Sequence, residues 1–132
     1  MGTSNPRLLI GDPDDDIRGS LEVYFEANGY HVQGVKAAID VLKAARTWQP
    51  NAILISDEFT DADCFQICRD LFDNTLTGHI PVVMLLQVNE RQTRLKALEV
   101  GVNDIITKPF DIEELRLRIE AAIRLSSLWL QP

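Results

Sequence analysis

Three apolar runs in this chain end in charged residues. Leu8-Leu9-Ile10 leads into Gly11-Asp12-Pro13-Asp14-Asp15-Asp16, Ile53-Leu54-Ile55 into Ser56-Asp57, and Asp104-Ile105-Ile106-Thr107 into Lys108-Pro109-Phe110. Two acidic clusters and one lysine suit a site for a metal ion and an incoming phosphoryl group. A hard divalent ion takes oxygen ligands. In phosphoryl transfer the protein mainly positions groups and neutralises charge. This requires the three runs to be neighbouring strands of an open parallel sheet, where sites form outside the carboxyl ends.

The remaining pattern supplies such a sheet. Strand-like runs fall at about 7–11, 31–35, 52–56, 81–86 and 104–107, with helical periodicities between them. Ile17, Leu21, Tyr24 and Phe25 mark a first helix stopped by Asn28-Gly29, and Ala38, Val41, Leu42 and Ala45 a second. Phe65, Ile67, Cys68, Leu71 and Phe72 mark a third. Leu95 and Leu98 mark a fourth, closed by Glu99-Val100-Gly101. Ile112, Leu115, Ile119, Ala122 and Ile123 mark a fifth. Val82-Val83-Met84-Leu85-Leu86 is apolar throughout, as in a parallel strand covered on both faces. Right-handed crossovers then give a doubly wound α/β fold with a five-stranded parallel sheet.

At 132 residues the chain fits one domain, with 45% hydrophobic and 25% charged residues. The expected domain is 1–125. Residues 126–132 either extend the last helix or begin a linker, and an exposed Trp129 would favour the linker. No apolar run approaches the ~20 residues that span a bilayer. The start, Met1 to Pro6, has no signal-peptide character, so a cytoplasmic location is expected. A net charge of −7 speaks against direct nucleic-acid binding by this domain. Cys64 and Cys68 lack a second ligand pair at zinc-like spacing and read as core residues. His31 and His79 are assigned no role. A phosphate-cradling loop of the flavin-binding or P-loop kind is missing, because the loop after the first strand is acidic.

Each acidic residue also has a structural reading. An aspartate before a helix caps free amides and complements the dipole. One cap needs one acid, and four of the five residues 12–16 are aspartates. Asp12 is taken as a site residue, and Asp14, Asp15 and Asp16 mainly as capping and solvation. Lys108, wedged between a buried strand and a proline, is taken as a site residue.

The set of motifs resembles the receiver domain of two-component response regulators over about residues 7–125. It comprises the acidic loop, the strand-end aspartate, Ile80-Pro81-Val82-Val83-Met84, Ala97-Leu98-Glu99-Val100-Gly101-Val102-Asn103-Asp104 and Ile106-Thr107-Lys108-Pro109-Phe110. The resemblance implies a flavodoxin-like (βα)5 fold with strand order 2-1-3-4-5 and a non-enzymatic signalling role. It implies Mg²⁺ near Asp12, Lys108 against the phosphoryl oxygens, and a cis bond before Pro109. A histidine kinase or other signalling protein is the expected partner. Output is expected through the fourth helix, fifth strand and fifth helix, where Arg94, Glu99, Arg116, Arg118 and Glu120 form a mixed-charge set. A homodimer is a further expectation.

The match is incomplete. Pro13 stands where a second metal-binding acid would be, with Asp14 as a substitute if the loop shifts, so Mg²⁺ binding is expected to be weak. Leu86 stands at the hydroxyl switch position and Ile105 at the aromatic one. The spacing lands on Ser56 without a gap. It lands on Asp57 if the strand gains one residue and the loop loses one. Asp57 is preferred as phosphoacceptor and metal ligand because an acyl phosphate needs a carboxylate, with Ser56 as the fallback. The loop from Glu58 to Cys64 lacks the usual proline and glycine. Two functions follow: a phosphoryl-accepting switch at Asp57, or a pseudo-receiver that binds proteins independently of phosphorylation.

Overall fold

A computed structural model describes residues 5–130, with side chains described through Ser126. Five strands alternate with five helices: β1 Arg7–Gly11, α1 Asp15–Ala27, β2 His31–Val35, α2 Ala38–Trp48, β3 Ala52–Ser56, α3 Cys64–Asp73, β4 Val82–Leu86, α4 Arg91–Val100, β5 Asp104–Thr107 and α5 Ile112–Leu130. The strands form one parallel sheet in the order β2-β1-β3-β4-β5. This is the doubly wound sheet that the strand pattern predicted, in the flavodoxin-like order that the resemblance implied. Residues 126–130 continue α5. Residues 1–4, residues 131 and 132, and the Trp129 side chain lie outside what is described, and with them the test of whether an exposed Trp129 marks a linker.

Every residue of β3 and β4 is buried, which explains why these runs are apolar without alternation. Successive side chains nevertheless point to opposite faces. Leu9, Ile53, Ile55, Val82, Met84 and Leu86 pack under α2, α3 and α4. Leu8, Ile10, Ala52, Leu54, Val83, Leu85 and Ile106 pack under α1 and α5. That alternation decides which strand-end side chains can meet at the sheet's carboxyl edge.

The helix boundaries follow local chemistry. Asp14 caps α1, its carboxylate accepting from the amides of Asp16 and Ile17 at 2.9 and 3.1 Å. Gly29 follows the helix at φ +91°, a conformation that L side chains rarely adopt. Cys64 and Cys68 are buried and free, with Cys64 Sγ 3.9 Å from Met84 Sδ, and burial pushes the Cys68 thiol up to about 12. Both therefore belong to the core. His31 and His79 are exposed.

The loop after β3 is anchored to the sheet by Phe59, which is 9% exposed and packs in the α2–α4 core. Its ring lies over Gly11, where a Cβ would come within 3.3 Å of the ring and 2.8 Å of Val41 Cγ2. Gly11→Ala is therefore expected to destabilise the domain by about 1–3 kcal/mol through overpacking. Urea unfolding of the two proteins checks this, and an unchanged midpoint would show that Phe59 gives way freely.

Candidate functional site

Three backbone positions carry the site, each held by a hydrogen bond that extends the strand ladder. The amides of Asp12, Asp57 and Lys108 donate to the carbonyls of Val35, Leu85 and Leu86 at 3.1, 3.0 and 2.8 Å. Ser56, the last residue of β3, shares the parity of Leu54, which faces α1 and α5. Asp12, Asp57, Glu58 and Lys108 lie just beyond the strand ends, with Asp57 and Lys108 at bends, so their side-chain contacts define where they meet.

Lys108 Nζ donates to Asp12 Oδ2 at 3.0 Å, to Ser56 Oγ at 3.5 Å and to the Glu58 carboxylate. An ammonium has three donors, and all three are used. Asp12 and Ser56 are fully buried, and the Lys108 side chain is 11% exposed. Burial by itself would lower the Lys108 ammonium. The hydrogen bonds to Glu58 and Asp12 outweigh it and hold the ammonium above its ordinary value. The Lys108–Pro109 bond is cis.

Asp57 lies at the same edge, within reach of the Lys108 charge, but takes no part in the lysine's hydrogen bonds. Its Oδ1 accepts from the Gln87 amide at 2.9 Å. Burial pushes its carboxyl above the usual range against the pull of that amide, and the Glu58 carboxylate adds to the rise. β3 pairs without interruption from Ile53↔Val82 to Ser56↔Leu85.

Glu58 is the site residue that the sequence reading missed. The signal was available: it is a carboxylate two residues beyond Ser56, close enough for a turn to bring it back to the strand end. Its amide donates to Ser56 Oγ at 3.1 Å, fixing the turn. Further along, Asp61 accepts from the amides of Ala38 and Ile39 at 3.0 and 3.3 Å, and Asp63 caps α3 through the Phe65 amide at 2.9 Å. These anchors take the place of the absent proline and glycine.

The acidic loop offers a metal little. Asp12 Oδ1 accepts from the Asp14 amide at 2.9 Å while Oδ2 holds Lys108, so both oxygens are engaged. Pro13 has no side-chain oxygen. Asp14 is occupied as the α1 cap, and Asp15 pairs with Arg18 at 2.6 Å. Among the described residues, no three His, Cys, Asp or Glu gather as a metal-holding group. The loop thus offers Mg²⁺ a poor set of oxygen ligands. Leu86 is fully buried in the α2–α4 core, and Ile105 packs against it.

The response regulator receiver domain family matches residues 8–120. The chain belongs to this family. It is 34% identical over 119 residues to the DNA-binding dual master transcriptional regulator RpaA of Synechocystis sp. (strain ATCC 27184 / PCC 6803 / Kazusa), covering 90% of this chain and 49% of that protein. It is 33% identical over 124 residues to Protein PetR of Rhodobacter capsulatus, covering 94% and 51%. The chain thus spans about half the length of these curated relatives. The Francisella response regulator 1452 receiver domain shares the fold at TM-score 0.86 and 24% identity, covering 92% of this chain and 99% of that one. The receiver domain of the sensor histidine kinase PA1611 from Pseudomonas aeruginosa PAO1, solved with magnesium in its active-site cleft, superposes at TM-score 0.84 and 22% identity, covering 91% and 98%. This receiver domain is a module of two-component signalling, in which response regulators interact with histidine kinases and output domains. No helix among its described residues is long and apolar enough to cross a membrane.

Two outcomes follow from the geometry. Lys108→Met leaves the Asp12 carboxylate buried and unpaired, and should cost about 3–5 kcal/mol. Adding Asp12→Asn should recover part of it. Denaturant unfolding of both variants checks this, and a loss below about 1 kcal/mol would show that the pair does not hold the edge together. For Asp57, a raised folded-state pKa means that its ionised form costs stability at neutral pH, a cost that fades as pH falls through that pKa. Asp57→Asn keeps an acceptor for the Gln87 amide. It should raise Tm at pH 7 and lose the advantage below about pH 4. A Tm gain equal at both pH values would assign the effect to something other than charge.

Proposed function

We propose that this receiver domain is a pseudo-receiver: a protein-interaction module whose state does not depend on phosphorylation. The observation that carries this reading is the commitment of Lys108. Its three donors are used by Asp12, Ser56 and Glu58, and the gap-free acceptor position beside it is a serine. Asp57, the carboxylate that could form an acyl phosphate, is hydrogen-bonded to the Gln87 amide instead. Mg²⁺ is held weakly, because neither Asp12 oxygen is free and Pro13 offers none. Leu86 and Ile105 supply neither a hydroxyl for a phosphoryl oxygen nor a ring to reorient. Coupling between a site and a distant face needs an element with two arrangements that the ligand favours differently. Those two positions do not provide one.

The proposed partner face is α4, β5 and α5. Leu95, Leu98 and Leu117 are 45%, 54% and 52% exposed. Arg118 reaches across to Asp104 at 2.9 Å. Arg116 belongs elsewhere, since its Nε donates to the Tyr24 hydroxyl of α1 at 3.1 Å. A second copy, a histidine kinase or another signalling protein would bind there. In a protein the length of its relatives, an output segment beyond this domain would carry any nucleic-acid contact, given the domain's charge of −7.

Incubation with a small acyl-phosphate donor and Mg²⁺, followed by intact-mass measurement, is expected to show no added phosphoryl group. Self-association or partner affinity should change by less than tenfold, about 1.4 kcal/mol of coupling. A phosphoryl mass that hydroxylamine releases and Asp57→Asn abolishes would overturn the proposal and restore the phospho-switch.

A further inference from the structure

An isolated surface lysine–glutamate pair contributes little and rearranges freely. The Glu58–Lys108 contact is not of that kind. Its lysine is buried to 11% exposure against a fully buried aspartate, and its glutamate is 22% exposed. The turn bearing Glu58 is tied down at three points: by Ser56 Oγ on the Glu58 amide, by Phe59 in the core, and by Asp61 on the start of α2. The carboxylate is therefore delivered to Nζ by the backbone and not by a free side-chain search. It lies on the same side of the sheet as the Ser56 hydroxyl, which is the side on which any anion attached at position 56 would face Lys108.

We infer that the Glu58 carboxylate is a built-in occupant of an oxyanion seat formed by Lys108 Nζ and Ser56 Oγ. The chain supplies its own anion, tethered two residues away, where a tetrahedral oxyanion such as phosphate would otherwise bind. This deepens the phosphorylation-independent reading and rests on it. The seat is filled by a permanent charge, so the loop between β3 and α3 keeps one arrangement whether or not a phosphodonor is present. Ser56 then serves as a positioning residue, its hydroxyl fixing the turn that aims Glu58.

The inference predicts a latent anion site that removing the glutamate uncovers. Wild type, Glu58→Ala and Glu58→Gln are titrated with inorganic phosphate at constant ionic strength, and backbone amide shifts are followed. Glu58→Ala should show saturable shifts at residues 56–58, Gln87 and Lys108, with a Kd at least tenfold below that of wild type. Glu58→Gln, which keeps the side chain's length but not its charge, should fall between them. Equal affinities, shifts confined to other parts of the surface, or no binding by either variant would each overturn the inference. Failure of the parent reading appears elsewhere, as hydroxylamine-labile phosphorylation of the unmodified protein at Asp57.

Discussion

A carboxylate with no solvent exposure must be paired or it will not stay charged, and the carboxyl edge of this sheet is organised around that requirement. Asp12 follows the inner strand β1, and its counter-ion arrives from Lys108, just past the edge strand β5. The pair spans the sheet over the ends of β3 and β4. Ser56 and Glu58 then complete the ammonium's coordination. A buried ion pair is weak evidence for stability in itself, because desolvation offsets much of the attraction. Its effect is on specificity: removing either partner strands a charge, so the strand ends are held in one mutual arrangement.

The β3–α3 loop shows how a fold can be kept while its local chemistry changes. In place of proline and glycine it uses a core plug, Phe59, and two helix-capping carboxylates, Asp61 and Asp63. The plug requires room, and Gly11 provides it on the facing strand. These are mutually dependent choices, since a side chain at position 11 and a ring at position 59 compete for one space. The result fixes the turn between Ser56 and Phe59, with the Asp57 carboxylate on the Gln87 amide and the Glu58 carboxylate on Lys108.

Membership of the receiver family and departure from its site chemistry are compatible. The fold is carried by two apolar layers and the crossovers between them, neither of which depends on the polar residues at the edge. Its lysine and aspartate hold each other as a pair, because losing one alone is costly. Ser56, beside them, carries a hydroxyl that organises the turn into Glu58.

The sequence by itself determined the architecture. Five apolar runs of strand length, each followed by helical periodicity, admit few arrangements, and uninterrupted hydrophobicity in β3 and β4 demanded a sheet covered on both faces. Asp12 and Lys108 were legible as a pair because a charged residue after a buried strand has few places to go. Asp14 was legible as a cap from its place before the first helix. What tertiary structure decided was the register at the end of β3. The sequence left Ser56 and Asp57 open, and chemical preference for a carboxylate favoured Asp57. Unbroken pairing with β4 put Ser56 on the lysine's side. A shift of one residue reverses which face a side chain occupies. A single position therefore separates a hydroxyl beside Lys108 from a carboxylate bound to the Gln87 amide, and the turn that follows brought in Glu58.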